Sequence, residues 1–238
     1  MALLSGLQVY YKLEDLTDSS GAGMTLTNNG VVTFVAGKIS NAANFVSTSS
    51  QFLSHVDATP FQMGTGSFSM SAWIKFTTNV AGIDLVAYGN PAGGAALGYA
   101  IVQSGIHIGF AIGDGTHTAA KDSVTTNNDG VWHFAVFTCD RAGLGSIYID
   151  NGTPDTVSVT TVTGSLNSST GFGIGGGAGG IHLSDSSIDE VGIWNRILTT
   201  GEISTLYNGG TGLTYPFGEG LAAPYPYAFH DETGAGSF

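Results

Sequence analysis

The sequence predicts an all-β fold, a two-sheet antiparallel jelly-roll sandwich with one short C-terminal helix and an extended C-terminal arm. Of its 238 residues 37 are glycine and only 10% are charged, while β-branched and aromatic residues occur in short runs. This composition is typical of many short strands joined by tight turns. Ten or more such strands with a single helix signal indicate a two-sheet jelly roll.

The clearest strand signal lies in residues 67–76, where apolar and polar residues alternate. One predicted face carries Phe68, Met70, Ala72, Ile74 and Phe76. Trp73 and Lys75 fall on the opposite face with the serines. Further strands are predicted at residues 7–13, 83–88, 97–103, 106–112, 131–137, 146–149, 157–160, 172–177 and 187–194.

Two local signals mark a hairpin and the helix. The corner Asp150-Asn151-Gly152 suits a tight hairpin, because these residue types adopt positive φ angles readily. Thr199 and Glu202 fit a capping box at the start of a helix, and Gly209-Gly210 is predicted to end that helix.

The charge balance excludes some partners. Six Lys+Arg against eighteen Asp+Glu give a formal net charge of −12, opposite to what phosphate binding requires, so no nucleic-acid partner is expected. The sequence has no apolar run long enough for a membrane span, so no membrane insertion is expected. Cys139 is the only cysteine and alternates with Phe137, which predicts a buried small hydrophobe.

The composition changes near the C-terminus. Residues 1–217 are predicted to form the sandwich domain, and residues 218–238 an extended arm rich in Gly, Pro and aromatic side chains. The predicted anchoring residues of this assembly arm are Leu221, Tyr225, Tyr227 and Phe229. A free tail is the alternative, because chain ends fray unless they are held.

A series of motifs resembles one known family. Residues 6–45, the strand at residues 67–74, the segment Asp129-Gly130-Val131-Trp132-His133 and residues 187–196 before the helix occur in the family's order. Together they resemble laminin G-like domains of the concanavalin A-like lectin/glucanase superfamily, of the kind found in phage virion and bacterial surface proteins. The resemblance implies the jelly roll but is less specific for function, because this fold has many roles.

The resemblance also implies a structural Ca²⁺ ion. Asp18 would supply a carboxylate, Gly21 and Gly23 loop carbonyls, and Asp189 or Glu190 a second carboxylate. Such oxygen ligands suit calcium. Family loops usually carry Asn where this chain has Ala22 and Met24, and Asp18 capping a turn is the alternative.

A carbohydrate site requires exposed aromatic rings. Trp73 is the best candidate for stacking on a sugar, with Tyr88, Tyr99 or His107 beside it. The alternative is that Trp73 fills a half-covered sheet surface. Trp132 and Trp194 are interpreted as core or edge-sealing residues.

Catalysis has little support in the sequence. Asp189 and Glu190 are adjacent, so in a regular strand their side chains point to opposite faces and cannot flank one glycosidic bond. No enzyme activity is therefore expected.

The sequence shows no export signal, although related modules act on outside surfaces. A phage structural protein reconciles these facts. The expected function is that of a non-enzymatic virion component, a capsid decoration or head/tail-fibre protein, assembled in the host cytoplasm with other virion proteins and with copies of itself. The alternative is a lectin-like adhesion module that binds glycans at an extracellular or cell-surface location.

Overall fold

A computed structural model describes residues 3–91 and 96–218. These residues form fifteen strands and one α-helix, which lies near the C-terminus. The strands are β1 (Leu7–Tyr11), β2 (Thr27–Asn29), β3 (Thr33–Ala36), β4 (Asn41–Phe45), β5 (Phe52–His55), β6 (Phe68–Phe76), β7 (Val80–Gly89), β8 (Leu97–Gly105), β9 (His107–Asp114), β10 (Thr118–Asp122), β11 (His133–Cys139), β12 (Leu144–Ile149), β13 (Asp155–Ser158), β14 (Phe172–Ile174) and β15 (Ser186–Trp194). The helix α1 spans Thr200–Tyr207.

The strands form two antiparallel sheets. The eight-stranded sheet runs β13-β12-β11-β6-β15-β4-β3, with β1 also pairing with β15. The seven-stranded sheet runs β10-β9-β8-β7-β14-β5-β2. The predicted all-β sandwich with one short C-terminal helix is confirmed.

The main core lies between the sheets and follows the alternation of the strands. Phe68, Met70, Ala72, Ile74 and Phe76 all point into it, as predicted. Facing rings close the gap between the sheets: the centroids of Phe110 and Phe137 are 4.2 Å apart. Cys139 is buried in the same core, which confirms its reading as a small hydrophobe.

A second apolar cluster covers the other face of the eight-stranded sheet. We call it the outer cluster; its buried members are Leu3, Tyr10, Trp73, Phe134, Val136, Trp194, Leu198, Ile203, Leu206 and Phe217. Helix α1 and the segment that follows it contribute the covering residues. The face of β6 opposite the core is therefore buried as well.

The predicted hairpin and capping box both form. Asp150 and Asn151 have φ angles of 52° and 60°, and the Gly152 N–H donates to the Ile149 carbonyl at 2.9 Å, the arrangement of a type I′ turn. At α1, the Thr199 hydroxyl accepts from the Glu202 N–H at 3.3 Å. The Glu202 carboxylate accepts from the Thr199 N–H at 2.8 Å.

Removing the N-cap side chain is expected to weaken the packing of α1. Thr199→Ala leaves an N-terminal N–H of the helix without its acceptor, which costs about 1 kcal/mol of unfolding free energy. Thr199→Ser, which keeps the hydroxyl, is the matched control. Urea unfolding of both variants measures the difference; equal loss in the two would contradict the role of the cap.

The C-terminal arm prediction falls on residues 218–238, of which the structure describes only Gly218. Leu221, Tyr225, Tyr227 and Phe229 therefore lie outside the described residues. Within the described part of the chain, no helix combines the length and the apolar character that a membrane crossing requires.

Candidate carbohydrate-binding site

Trp73 does not form the exposed platform that the alternation suggested. Its side chain is 2% exposed. Tyr207 stacks on it with ring centroids 5.8 Å apart, and the Lys38 ammonium lies 4.3 Å from its centroid. The prediction of an exposed sugar-stacking ring is wrong for Trp73, because α1 and the 37–40 turn cover this part of the sheet; the alternative, a ring that fills a covered surface, describes it.

The other three predicted sugar contacts are also placed elsewhere. Tyr88 and Tyr99 are fully buried between the sheets. The Tyr99 hydroxyl donates to the Phe61 carbonyl at 2.6 Å and the Tyr88 hydroxyl to Asp57 at 2.7 Å. His107 is half-buried, with its Nδ1 atom 2.7 Å from the Thr125 carbonyl. The two tyrosines are core residues, so the predicted group does not form one site.

Asp18 acts as a turn-capping residue. Its carboxylate accepts hydrogen bonds from the backbone N–H groups of Tyr10 at 3.0 Å and Ser20 at 2.9 Å, and from that of Met24 at 3.4 Å. Gly21 and Gly23 lie in the exposed loop between them with φ angles of 92° and 76°. This is the alternative role that the sequence left open for Asp18.

Asp189 and Glu190 lie on the same face of the sheet, contrary to the expectation from their adjacency. The pairing of β15 with β6 shifts register between Asp189 and Gly192, and Glu190 has a φ angle of 51°. This bulge turns Glu190 toward the outer cluster, where it accepts a hydrogen bond of 2.6 Å from the Tyr10 hydroxyl. The expectation fails because it assumed a regular pleat.

The two carboxylates are buried and incompletely partnered. Asp189 is 0% and Glu190 2% exposed. Asp189 Oδ2 accepts from the Lys38 and Ile39 N–H groups at 2.9 Å each, while Asp189 Oδ1 and Glu190 Oε1 have no hydrogen-bond partner within residues 3–91 and 96–218. Burial raises the pKa of Asp189 to about 8 and that of Glu190 to about 7.

The predicted calcium site is not marked by a cluster of charged ligands in the described part of the chain. Among residues 3–91 and 96–218, no group of three or more His, Cys, Asp or Glu side chains is placed to hold a metal ion. The Asp18 carboxylate already accepts hydrogen bonds from three backbone N–H groups. Binding of a structural Ca²⁺ ion therefore stays a prediction. The covered pair also offers no accessible carboxylates to flank a glycosidic bond.

A polar groove lies at one end of the eight-stranded sheet, where β4 and β6 end and β15 begins. Its volume is about 320 Å³. We call it the polar groove; the polar side chains that line it are Asn44, Lys75, Thr77, Asp185, Ser186 and Ser187. This volume is at the lower end of the range for small-molecule sites, about 300–1,000 Å³.

Donors and acceptors in the polar groove are fixed by its own hydrogen bonds. The Ser187 hydroxyl donates to Asn44 Oδ1 at 3.1 Å, which orients the amide. Asp185 accepts from the Ser47 N–H at 2.8 Å and the Ser47 hydroxyl at 2.7 Å. Among the described residues the Asn44 amide nitrogen has no acceptor and Lys75 has no carboxylate partner. Both donors are therefore available to a ligand.

An aromatic ring adjoins the polar groove. The Lys75 ammonium lies 5.0 Å from the ring centroid of Trp132, which is half-buried. The next residue, His133, is held by Asp150 at 2.7 Å and Asp129 at 3.2 Å. The hydrogen bond with Asp150 raises the pKa of His133. The contacts of His133 with Asp129 and Asp150 give the Asp129-to-His133 motif a structural role, because they hold the start of β11 in place beside the groove.

Sequence reasoning missed the residues of the polar groove. Asn44 and Ser187 are separated by 143 positions and meet only through the pairing of β4 with β15. No local pattern marks them. The alternation correctly predicted that Lys75 lies on the face of β6 opposite the core, but the residue chosen there as a sugar contact was Trp73.

The fold is that of a concanavalin A-like sandwich. The sequence matches the laminin G-type family model described as the concanavalin A-like lectin/glucanases superfamily over residues 47–204. This is more than half of the chain, and the protein belongs to this superfamily. No curated protein matches the sequence.

Solved structures with the same fold include clostridial toxin binding domains. The binding domain of Paraclostridial Mosquitocidal Protein 1 matches with a TM-score of 0.73 and 16% identity, over 87% of this chain and 53% of that chain. The binding domain of Botulinum Neurotoxin DC in complex with SialylT matches with a TM-score of 0.66 and 18% identity, over 87% and 52%. A structure of botulinum neurotoxin type C, whose cell entry depends on two ganglioside molecules, matches with a TM-score of 0.68 and 17% identity, over 85% of this chain and 51% of that chain.

These similarities show the fold alone, because the identities are low. The chain also spans only about half the length of these solved chains. What the toxin domains bind is a property of those proteins.

Proposed function

We propose that this domain is a carbohydrate-binding module and that its polar groove contacts the glycan. The observation that carries the proposal is a pair of donors without a hydrogen-bond acceptor among the described residues, Asn44 Nδ2 and Lys75 Nζ, in the polar groove, where Lys75 also contacts the half-buried Trp132. Hydroxyl-rich ligands need such oriented donors beside an aromatic surface. Membership of a superfamily that includes lectins supports the same function, as do similar folds in glycan-binding toxin domains.

Attachment to an extracellular or cell surface is better explained by glycan binding than by a role in a virion. The virion hypothesis, with its capsid or tail partners, stays a prediction. A binding function without catalysis agrees with the burial of Asp189 and Glu190.

The test is a glycan array with the full chain, followed by calorimetric titration of the best ligand. Asn44→Ala and Lys75→Met each remove one donor, and each is expected to weaken binding about tenfold, the equivalent of one ligand hydrogen bond of about 1.4 kcal/mol. Lys75→Met retains the apolar stem and so limits the loss of packing on Trp132.

Lys121→Met is the matched control. Lys121 lies on β10 of the other sheet, so its loss is expected to leave binding unchanged. A chain that binds no glycan on the array, or equal affinities in the two lysine variants, would sink the proposal. Circular dichroism confirms that each variant is folded.

A further inference from the structure

A second cavity lies on the eight-stranded sheet, between the Asp150–Pro154 hairpin and the start of α1. Its volume is about 270 Å³. We call it the Tyr148 pocket; the side chains that matter are Tyr148, Asn151, Thr153, Pro154, Thr200 and Ile203. None of the residues that line it carries a charge.

The pocket combines an aromatic ring with unused polar groups. Tyr148 lies on the outer-cluster side of β12 and is half-buried. Among the described residues, its hydroxyl and those of Thr153 and Thr200 have no hydrogen-bond partner. The Asn151 amide makes one long contact, 3.4 Å to the Ser204 hydroxyl.

The backbone that presents these groups is held firmly. The type I′ turn closes the hairpin, and Asp150 also accepts from the Phe134 N–H at 2.8 Å and binds His133 at 2.7 Å. On the other side, the capping box fixes the first turn of α1. Two independently anchored elements therefore hold the pocket open, which limits the entropy lost on binding.

The lining selects a chemical class of ligand. With no cation the pocket offers nothing to compensate a desolvated carboxylate, phosphate or sulfate, and the chain's net charge of −12 repels anions. A purely apolar ligand would leave the hydroxyl groups of Tyr148, Thr153 and Thr200 without partners. An uncharged ligand with several hydroxyl groups and one apolar face satisfies both the ring and the polar groups.

We infer that the Tyr148 pocket is a second sugar site, which takes one uncharged pyranose unit stacked on the Tyr148 ring. This inference rests on the proposed glycan-binding function only in its ligand class, because it uses a separate set of residues. The two sites lie at the same end of the sheet. The start of β11 lies beside the end of β6, where His133 pairs with Ile74, and beside the end of β12, where Ala135 pairs with Ile149.

The experiment is a two-dimensional ¹H–¹⁵N NMR titration of the full chain with glucose, galactose, mannose and N-acetylglucosamine. At least one sugar is expected to shift the amide signals of residues 148–154 and 200–203. Tyr148→Ala and Thr153→Val are expected to weaken that binding about tenfold or more, and Tyr148→Phe, which keeps the ring, to weaken it less. Asn44→Ala, in the polar groove, serves as the control and is expected to have no effect on these shifts.

The outcomes separate the two proposals. Shifts confined to the polar groove, or none with any of the four sugars, overturn the second site. Shifts at residues 148–154 that survive both Tyr148→Ala and Thr153→Val in a folded protein overturn it as well. Shifts at the Tyr148 pocket, with a polar groove that binds nothing, support this inference and contradict the proposed function of the groove.

Discussion

Trp73→Ala is expected to lower the free energy of unfolding by about 3–5 kcal/mol and to leave sugar affinity unchanged. The ring is 2% exposed. It packs between Phe134, with centroids 5.1 Å apart, and Tyr207. Its removal leaves a cavity under α1 that the anchored helix cannot close. In a protein of this size the melting temperature is expected to fall by roughly 10 °C.

Trp132→Ala is the matched control for Trp73→Ala. Trp132 is half-buried beside the polar groove, so its loss is expected to cost less stability and to weaken glycan binding. Calorimetry and the glycan titration measure both properties for each variant. The opposite pattern, a stable Trp73→Ala protein that has lost its sugar affinity, would restore the exposed-platform interpretation of Trp73.

The free energy of unfolding is expected to fall as pH rises from about 4 to about 8, by several kcal/mol. Asp189 and Glu190 have ordinary pKa values of 3.8 and 4.5, which apply to the unfolded chain, but burial raises them to about 8 and about 7 in the native protein. In this interval the folded protein therefore holds more protons than the unfolded chain, so unfolding releases protons and becomes easier as pH rises.

The raised pKa of His133 acts in the same direction. Its pairing with Asp150 stabilises the protonated ring, and that contribution is lost as pH rises through the native pKa. Urea unfolding at about pH 5 and about pH 8 measures the combined slope.

The double variant Asp189→Asn, Glu190→Gln separates the contributions, because it removes both titrations and retains groups of similar size. It is expected to lose most of the pH slope, and Asp155→Asn, at the half-buried first residue of β13, to keep it. A wild-type stability that increases between these pH values, or an unchanged slope in the double variant, would contradict the raised pKa values of Asp189 and Glu190.

Local patterns in the sequence were enough to predict the class of fold, the core side of its clearest strand and its tight turn and helix cap. The period-two pattern of residues 68–76 identified the core-facing side chains, because alternation is a property of the strand itself. The Asp150–Gly152 turn and the Thr199–Glu202 capping box were equally predictable, since each depends on residues within four positions of one another.

Which part of the polar face is covered and which is open depends on long-range packing. Trp73 and Lys75 have the same sequence pattern, yet α1 and the 37–40 turn bury the first while the second reaches the polar groove. The bulge at Glu190 reversed the expected direction of one carboxylate, and the pairing of β4 with β15 brought Asn44 to Ser187. These outcomes depend on which segments, distant in the sequence, pack on the sheet. A local pattern of residues cannot predict them, because it does not specify long-range contacts.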